Sequence, residues 1–320
     1  MQPLRFHRFA QYAWALLGYL VLIILWGAFV RATGSGAGCG SHWPLCNGEV
    51  IPRAPAVETI IELSHRITSA LAGFLIIGLV VWAYRRYPKG SPVRFAAVGT
   101  LVFVIIEGLI GAAIVLFEWT AENASMGRTI SIALHLNNTL ILLAFATLTA
   151  WWASGGRPFT LKKQGRVGWS LLGLGLGLMI LSATGAVTAL GDTLFEATST
   201  AEVLNRSTDP TAHHLERLRV YHPVFAVILG AILLLSVRRT MAERPDARVR
   251  LFGVALLALY FGQMLLGMAN IWLKAPVWMQ LVHLLVADGI WIAYLLFGNA
   301  ALATRRLEPV AEPSLSLSIS

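Results

Sequence analysis

The chain has 320 residues, of which 57% are hydrophobic, 13% charged and 11 tryptophan, with 25 Lys+Arg against 16 Asp+Glu. An ordinary soluble domain carries about a quarter charged residues, so this composition excludes one and makes a lipid bilayer the solvent. The positive excess does not indicate nucleic acid, because the basic residues fall in short breaks between long apolar runs rather than on one basic face. The two cysteines are too few for a disulfide-dense scaffold or a Cys₄ metal site.

Crossing a hydrocarbon core of about 30 Å takes about 20 apolar residues in a helix. Runs of that size fall at residues 12–30, 67–84, 93–117, 130–152, 169–190, 220–237, 251–273 and 279–302. The first follows Arg5 and Arg8 as a secretory signal would, but its apolar stretch exceeds the about 7–15 residues usual for one, and it reads as a retained helix. Of the 25 Lys and Arg, 17 fall on one side of these spans, among them Arg85, Arg86, Lys89, Lys162, Lys163, Arg238 and Arg239. The positive-inside rule then predicts a multi-pass protein of the cell membrane with both termini cytoplasmic.

Between the first two spans, on the outer side, lies Gly38-Cys39-Gly40-Ser41-His42-Trp43-Pro44-Leu45-Cys46. A short Gly/Pro-containing loop in an oxidising compartment predicts a disulfide between Cys39 and Cys46. It is either a structural staple, worth about 2–3 kcal/mol in the chain-entropy model, or a redox-active pair; sequence alone does not separate the two.

The two halves of the sequence resemble each other. His65 and Gly73 are eight residues apart, as are His222 and Gly230; Glu107-Gly108-Leu109-Ile110-Gly111 aligns with Gln263-Met264-Leu265-Leu266-Gly267; His135-Leu136 aligns with His283-Leu284. Four spans against four, both halves starting inside, predict an all-α membrane protein of two pseudo-symmetric four-helix bundles related as parallel repeats. The predicted units are residues 1–153, a cytoplasmic connection at 154–168, a second bundle at 169–306, and a Pro-, Glu- and Ser-rich tail at 307–320 expected to be disordered.

His65, His135, His222 and His283 each fall within about two turns of the outer end of their spans. One such histidine is ordinarily an interfacial polar group, but four at repeat-equivalent positions offer each bundle a facing pair of imidazoles, the arrangement that holds a haem iron. Zinc is a poor rival, since no Cys or carboxylate cluster completes a tetrahedral set. Glu62 precedes His65 by three residues, which puts acid and imidazole on one helix face; the aligned position in the second half is Arg219. That difference predicts one reactive site and one electron-transferring or structural site, against the alternative of a helix-start glutamate favoured by the dipole. Glu107 and Asp288 lie inside spans with roles left open among proton path, haem contact and helix–helix bonding. Arg31, Arg66, Arg128, Arg217 and Arg219 sit at outer ends, where they meet either haem propionates or lipid phosphates.

With Gly27-Ala28-Phe29-Val30-Arg31-Ala32-Thr33-Gly34-Ser35-Gly36, the Cys39…Cys46 loop, Glu62-Leu63-Ser64-His65-Arg66, His135, His222 and His283, the chain resembles the haem A synthases along essentially its whole length. These membrane enzymes oxidise haem O to haem A for cytochrome oxidases. The resemblance implies that haem O reacts in the first half with His65 and His135 as iron ligands and Glu62 as the essential acid. It also implies that His222 and His283 hold haem b in the second half. The implied chemistry is two successive hydroxylations of a ring methyl, the gem-diol losing water to a formyl group. Implied partners are an electron donor, which the sequence does not identify, and a haem O synthase. Some members carry a second cysteine pair between spans five and six; this chain does not, having Asp192, Glu196 and Asp209 there instead.

Two rivals remain from the sequence: a di-haem b electron-transfer protein, and a haem transporter without product chemistry. Glu62 beside only one histidine pair favours the enzyme. A prenyltransferase is set aside, because Asp192, Asp209, Asp246 and Asp288 are too far apart to form paired Mg²⁺-diphosphate motifs.

Overall fold

The structure is a computed structural model that describes residues 7–160, 162 and 164–303; the predicted tail at 307–320 lies outside the described residues. The elements in order are α1 (Arg8–Ala32), a short 3₁₀ turn (Ser35–Ala37), α2 (Val57–Arg86), α3 (Pro92–Leu116), α4 (Met126–Ala153), α5 (Gly165–Leu194), α6 (Thr200–Thr208), α7 (His214–Leu218), α8 (Tyr221–Glu243), α9 (Ala247–Trp272) and α10 (Val277–Leu302). Eight helical segments are long and apolar enough to cross a membrane, with α7 and α8 forming one of them. A chain in hydrocarbon must satisfy its backbone groups internally, and uninterrupted helices do this.

The helices exceed the apolar runs because their polar ends remain helix-competent. The run at 67–84 becomes α2 from Val57, so Glu62 and His65 lie within the helix rather than before it. Caps mark several starts: Ser91 before Pro92 accepts from the Val93 amide, Ser125 from the Arg128 amide, and Asp246 from the Arg248 amide. The break between α7 and α8 falls at Arg219–Val220, four residues before Pro223. Proline has no N–H for the Arg219 carbonyl and crowds it, which interrupts the ladder there. The outer segment after α5, expected only to be polar loop, contains α6; Ser199 caps it, and Arg206 joins it to Glu216 of α7 at 2.8 Å.

Around the core, α1 packs on α2, α2 on α3, α3 on α4 and α4 back on α1; α5 packs on α8, α8 on α9, α9 on α10 and α10 back on α5. The two sets meet through α4 against α5 and α10, and α1 against α10. Central α4 buries Thr129, Ser131, Asn138, Thr139, Thr147 and Thr149, the small and hydroxyl residues by which membrane helices approach closely. Large apolar side chains such as Phe74, Phe95, Leu109 and Leu235 face outward, as lipid contact allows.

Aromatic donors pin helix to helix. Trp14 Nε1 donates to Ser154 Oγ at 3.0 Å, Trp152 Nε1 to Asn299 Oδ1 at 2.9 Å, and Trp291 Nε1 to the Leu140 carbonyl at 2.7 Å. The Tyr12, Tyr19, Tyr260 and Tyr294 hydroxyls donate to the Leu75, Thr68, Ala226 and Leu171 carbonyls. Each is a large apolar body whose one polar atom needs a partner away from water. Trp291→Phe removes the N–H of the α10–α4 bond and also part of a buried ring, and is expected to lower stability by about 0.6 kcal/mol for the bond plus a cavity cost of about 1 kcal/mol or more, in detergent unfolding followed by circular dichroism.

Candidate functional site

The four histidines occupy matching depths. His65 lies eight residues after the start of α2, His135 nine after the start of α4, His222 eight after the start of α7 and His283 six after the start of α10. Arg31 at the end of α1 donates to the Ala189 carbonyl and Thr193 Oγ1 of α5 at 2.9 Å and to Gln280 Oε1 of α10 at 3.0 Å. Thr129 of α4 lies 3.0 Å from His214 Nε2. These contacts gather the helix ends that carry the histidines at one end of the molecule.

Each imidazole rests against a glycine of the preceding spanning helix. A methyl group on Gly27 would lie 2.9 Å from His65 Cε1, and one on Gly185 would lie 2.9 Å from His222 Cε1. One on Gly267 would come within 3.3 Å of His283 Cε1, and one on Gly111 within 3.7 Å of His135 Nε2. Any larger residue at Gly27 or Gly185 would push the ring out of its place. Neither the spacing of the histidines nor the glycine content reveals this pairing, since it is made across helices.

The ring nitrogens divide into two kinds. His135 Nδ1 donates to Glu107 Oε1 at 2.7 Å, and His222 Nδ1 to the Leu181 carbonyl at 3.2 Å, which leaves Nε2 of each ring as the nitrogen free to ligate. His65 Nδ1 and His283 Nδ1 are buried and have no hydrogen-bond partner among the described residues. The His222 and His283 ring centres are 6.3 Å apart with their planes at 72°. Two imidazoles on opposite sides of one metal, each at a bond of about 2.0–2.1 Å with about 1.1 Å from nitrogen to ring centre, stand about 6 Å apart. Among the described residues no three His, Cys, Asp or Glu converge as a metal cluster, so paired imidazoles are the donor sets on offer. The separation of His222 and His283 would suit a haem iron held between two histidines.

Glu62 has a different setting from the one its spacing suggests. It shares a face with His65, yet both its oxygens are committed elsewhere: Oε1 accepts from Arg66 Nη2 at 2.5 Å and Nε at 3.1 Å, and Oε2 from the Cys39 amide at 2.8 Å. Glu62 is only 4% exposed. Arg66 Nη1 reaches on to the His42 and Leu45 carbonyls at 2.7 and 2.9 Å. Cys39 and Cys46 form the expected disulfide. The loop it closes seats on α2 where Thr59 Oγ1 donates to the Gly38 carbonyl at 2.7 Å; a methyl group on Gly38 would collide with the Glu58 backbone. The disulfide loop, Arg66 and Glu62 are thus one assembly.

The buried arginines at this end have protein partners. Arg128 donates to the Asn123 carbonyl at 2.8 Å and to the Ala121 carbonyl. Arg219 donates to the Phe195 carbonyl at 2.5 Å and pairs with Asp192 at 3.1 Å. Both are held by carbonyls, those of the α3–α4 loop for Arg128 and that of Phe195 at the end of α5 for Arg219. Asp288 is 1% exposed, with neither oxygen partnered among the described residues.

A family model described as cytochrome oxidase assembly protein, COX15-CtaA, matches residues 10–295. The chain belongs to this family. Within the wider set of relatives, it is 30% identical over 282 residues to the protein named Heme A synthase of Alkalihalophilus pseudofirmus, covering 86% of this chain and 91% of that one. It is 43% identical over 130 residues to the Heme A synthase of Halalkalibacterium halodurans, covering 40% and 41%. It is also 52% identical over 296 residues to a protein of Thermus thermophilus named Protoheme IX farnesyltransferase, covering 92% of this chain but 48% of that protein. The chain therefore spans about half the length of that relative.

Arg66→Ala in this COX15-CtaA member strands a buried carboxylate and is expected to cost about 3–5 kcal/mol. The Glu62→Gln/Arg66→Ala double variant should recover most of that loss in unfolding titrations. A double variant as unstable as Arg66→Ala alone would show that the pair does not hold the loop.

Proposed function

We propose that this chain oxidises a ring methyl of haem O to the formyl group of haem A. The observation that carries the reading is the set of four glycine-backed imidazoles at one depth, within a chain of the COX15-CtaA family. In this reading residues 1–153 and 169–306 are two four-helix units related as parallel repeats, in the cell membrane with both termini cytoplasmic and the histidines near the outer face. The closed packing orders α1 to α4 and α5, α8, α9, α10 support the division.

His65 and His135 would hold the iron of the substrate haem O, and His222 and His283 would hold a resident haem b, which supplies one-electron transfer. Haem O would thus react in the unit that contains Glu62. With both oxygens engaged by Arg66 and the Cys39 amide, accepting a proton at Glu62 would break the Arg66 pair. In this reading Glu62 acts as a fixed charge at the reactive end rather than as the proton acceptor. Arg66 and the disulfide loop position Glu62, so the cysteine pair acts as a staple of the reactive end. In the second unit the residue three before the histidine, Arg219, caps α5 instead.

Haem O comes, in this reading, from a prenyltransferase. The Thermus relative bears such a name, and this chain aligns with 48% of it, while the four aspartates of this chain form no paired Mg²⁺-diphosphate motif. Farnesyl transfer therefore belongs outside a segment of this kind, and the two activities suit neighbouring units.

Pigment extraction and mass analysis of protein purified from cells making haem O test the function. The unmodified chain should carry haem b together with haem A or its hydroxylated precursor, and Glu62→Ala should accumulate haem O. Haem b alone in both would favour an electron-transfer cytochrome. The glycine contacts make a separate prediction: Gly185→Val, which strikes the His222 ring, should lower haem b content at least tenfold. Gly173→Val should leave it unchanged, because nothing lies within 4 Å of a β-carbon there.

A further inference from the structure

The aligned segments Glu107-Gly108-Leu109-Ile110-Gly111 and Gln263-Met264-Leu265-Leu266-Gly267 differ at their first residue, and the two side chains do different things. Glu107 Oε1 accepts from His135 Nδ1 at 2.7 Å and from Thr139 Oγ1; Oε2 accepts from Asn138 Nδ2 at 2.5 Å, which also reaches the Phe103 carbonyl at 3.0 Å. Three donors from α4 thus fix one carboxylate of α3 in a single orientation. Gln263 turns its amide the other way, donating Nε2 to the backbone carbonyl of His283 at 2.8 Å. Its Oε1 has no partner among the described residues, and neither does His283 Nδ1.

A bond between helices does not need a charge, and an amide would make one at far smaller desolvation penalty within a membrane. A carbonyl oxygen can fix the tautomer and ring orientation of an imidazole, as the Leu181 carbonyl does for His222. A carboxylate on the outer nitrogen also carries a charge that makes the inner nitrogen a stronger donor to a metal. Resting on the function proposed above, we propose that Glu107 is the positioning residue of the first-half haem, presenting His135 through Nε2 and holding that iron toward the ferric state, while the second half, with Gln263, lacks this bias. Its one negative charge compensates the one net positive charge of a ferric porphyrin core, and Asn138 and Thr139 keep it from turning away. The two haem sites then differ at two places in the first half: at Glu62, which faces the disulfide loop, and at Glu107, which acts through His135.

The test is a redox titration of the purified, haem-loaded protein, followed by haem absorbance, in which the first-half component is the one lost in His65→Ala. Glu107→Gln should leave the second-half component and the helix content unchanged. It should raise the first-half midpoint potential and weaken haem retention there by about 10–100-fold, with Glu107→Asp falling between it and the unmodified chain. A first-half haem that is retained with its midpoint unchanged in Glu107→Gln overturns the proposal, since a merely structural bond would leave the potential alone. If Glu107→Gln binds no first-half haem at all, Gln263→Glu decides: it should lower the second-half midpoint by giving His283 Nδ1 an anionic acceptor, and an unchanged midpoint overturns the proposal. If the unmodified protein has no component that His65→Ala removes, the functional reading fails and this inference with it. An unmoved potential on a haem that is present defeats the role of Glu107 alone.

Discussion

No water reaches the hydrocarbon core of a bilayer, so each polar group placed there must find its partner inside the protein. Nearly every informative contact in this chain follows from that constraint. The hydroxyl of Tyr12 and the N–H groups of Trp14, Trp152 and Trp291 end on carbonyls and side chains across the helix packing, and Thr149 of α4 turns back to its own helix, to the Phe145 carbonyl at 2.8 Å. Against this background of settled accounts, an imidazole nitrogen or a carboxylate oxygen left without a partner stands out. His65, His283 and Asp288 are the buried titratable residues in that position among the described residues.

The constraint also shapes how the two halves diverge. Residues three before the first histidine of each half are Glu62 and Arg219, and each is buried but serves a different end. Glu62 ties α2 to the loop closed by Cys39 and Cys46 through the Cys39 amide and Arg66. Arg219, at the break between α7 and α8, caps the last carbonyls of α5. One half therefore has an acid held under a covalently closed lid, and the other has a cation spent on closing a helix end. The same substitution of anion by neutral or cationic group recurs at Glu107 and Gln263, on the helix that faces the second histidine.

Much of the architecture was legible in the amino-acid order. Eight apolar runs became eight helical segments long enough to cross a membrane, and the disulfide formed where loop length and composition placed it. The departures have local causes. Helix ends ran past the apolar runs because residues such as Glu58 and Arg85 favour helix as readily as loop. The outer helix α6 has too few apolar residues to leave a periodic mark. Arg128 and Arg219 have carbonyl partners in the α3–α4 loop and at the end of α5, which a pattern of charges along a chain cannot show. The spacing of Glu62 and His65 along α2 was legible, but the bond of Glu62 to the Cys39 amide joins residues 23 apart in sequence.

The sequence by itself determined the solvent, the number of spans, the disulfide and which residue types recur at matching places, because hydrophobic length, loop composition and spacing are properties of a chain read in one dimension. The tertiary structure alone decided which glycine backs which imidazole, that His135 rather than His65 carries a carboxylate partner, and that the His222 and His283 rings stand 6.3 Å apart. Each of these depends on the rotation and depth of one helix against another. In a bilayer that rotation is set by close packing of small residues and by a few hydrogen bonds between helices, and neither leaves a period in the sequence.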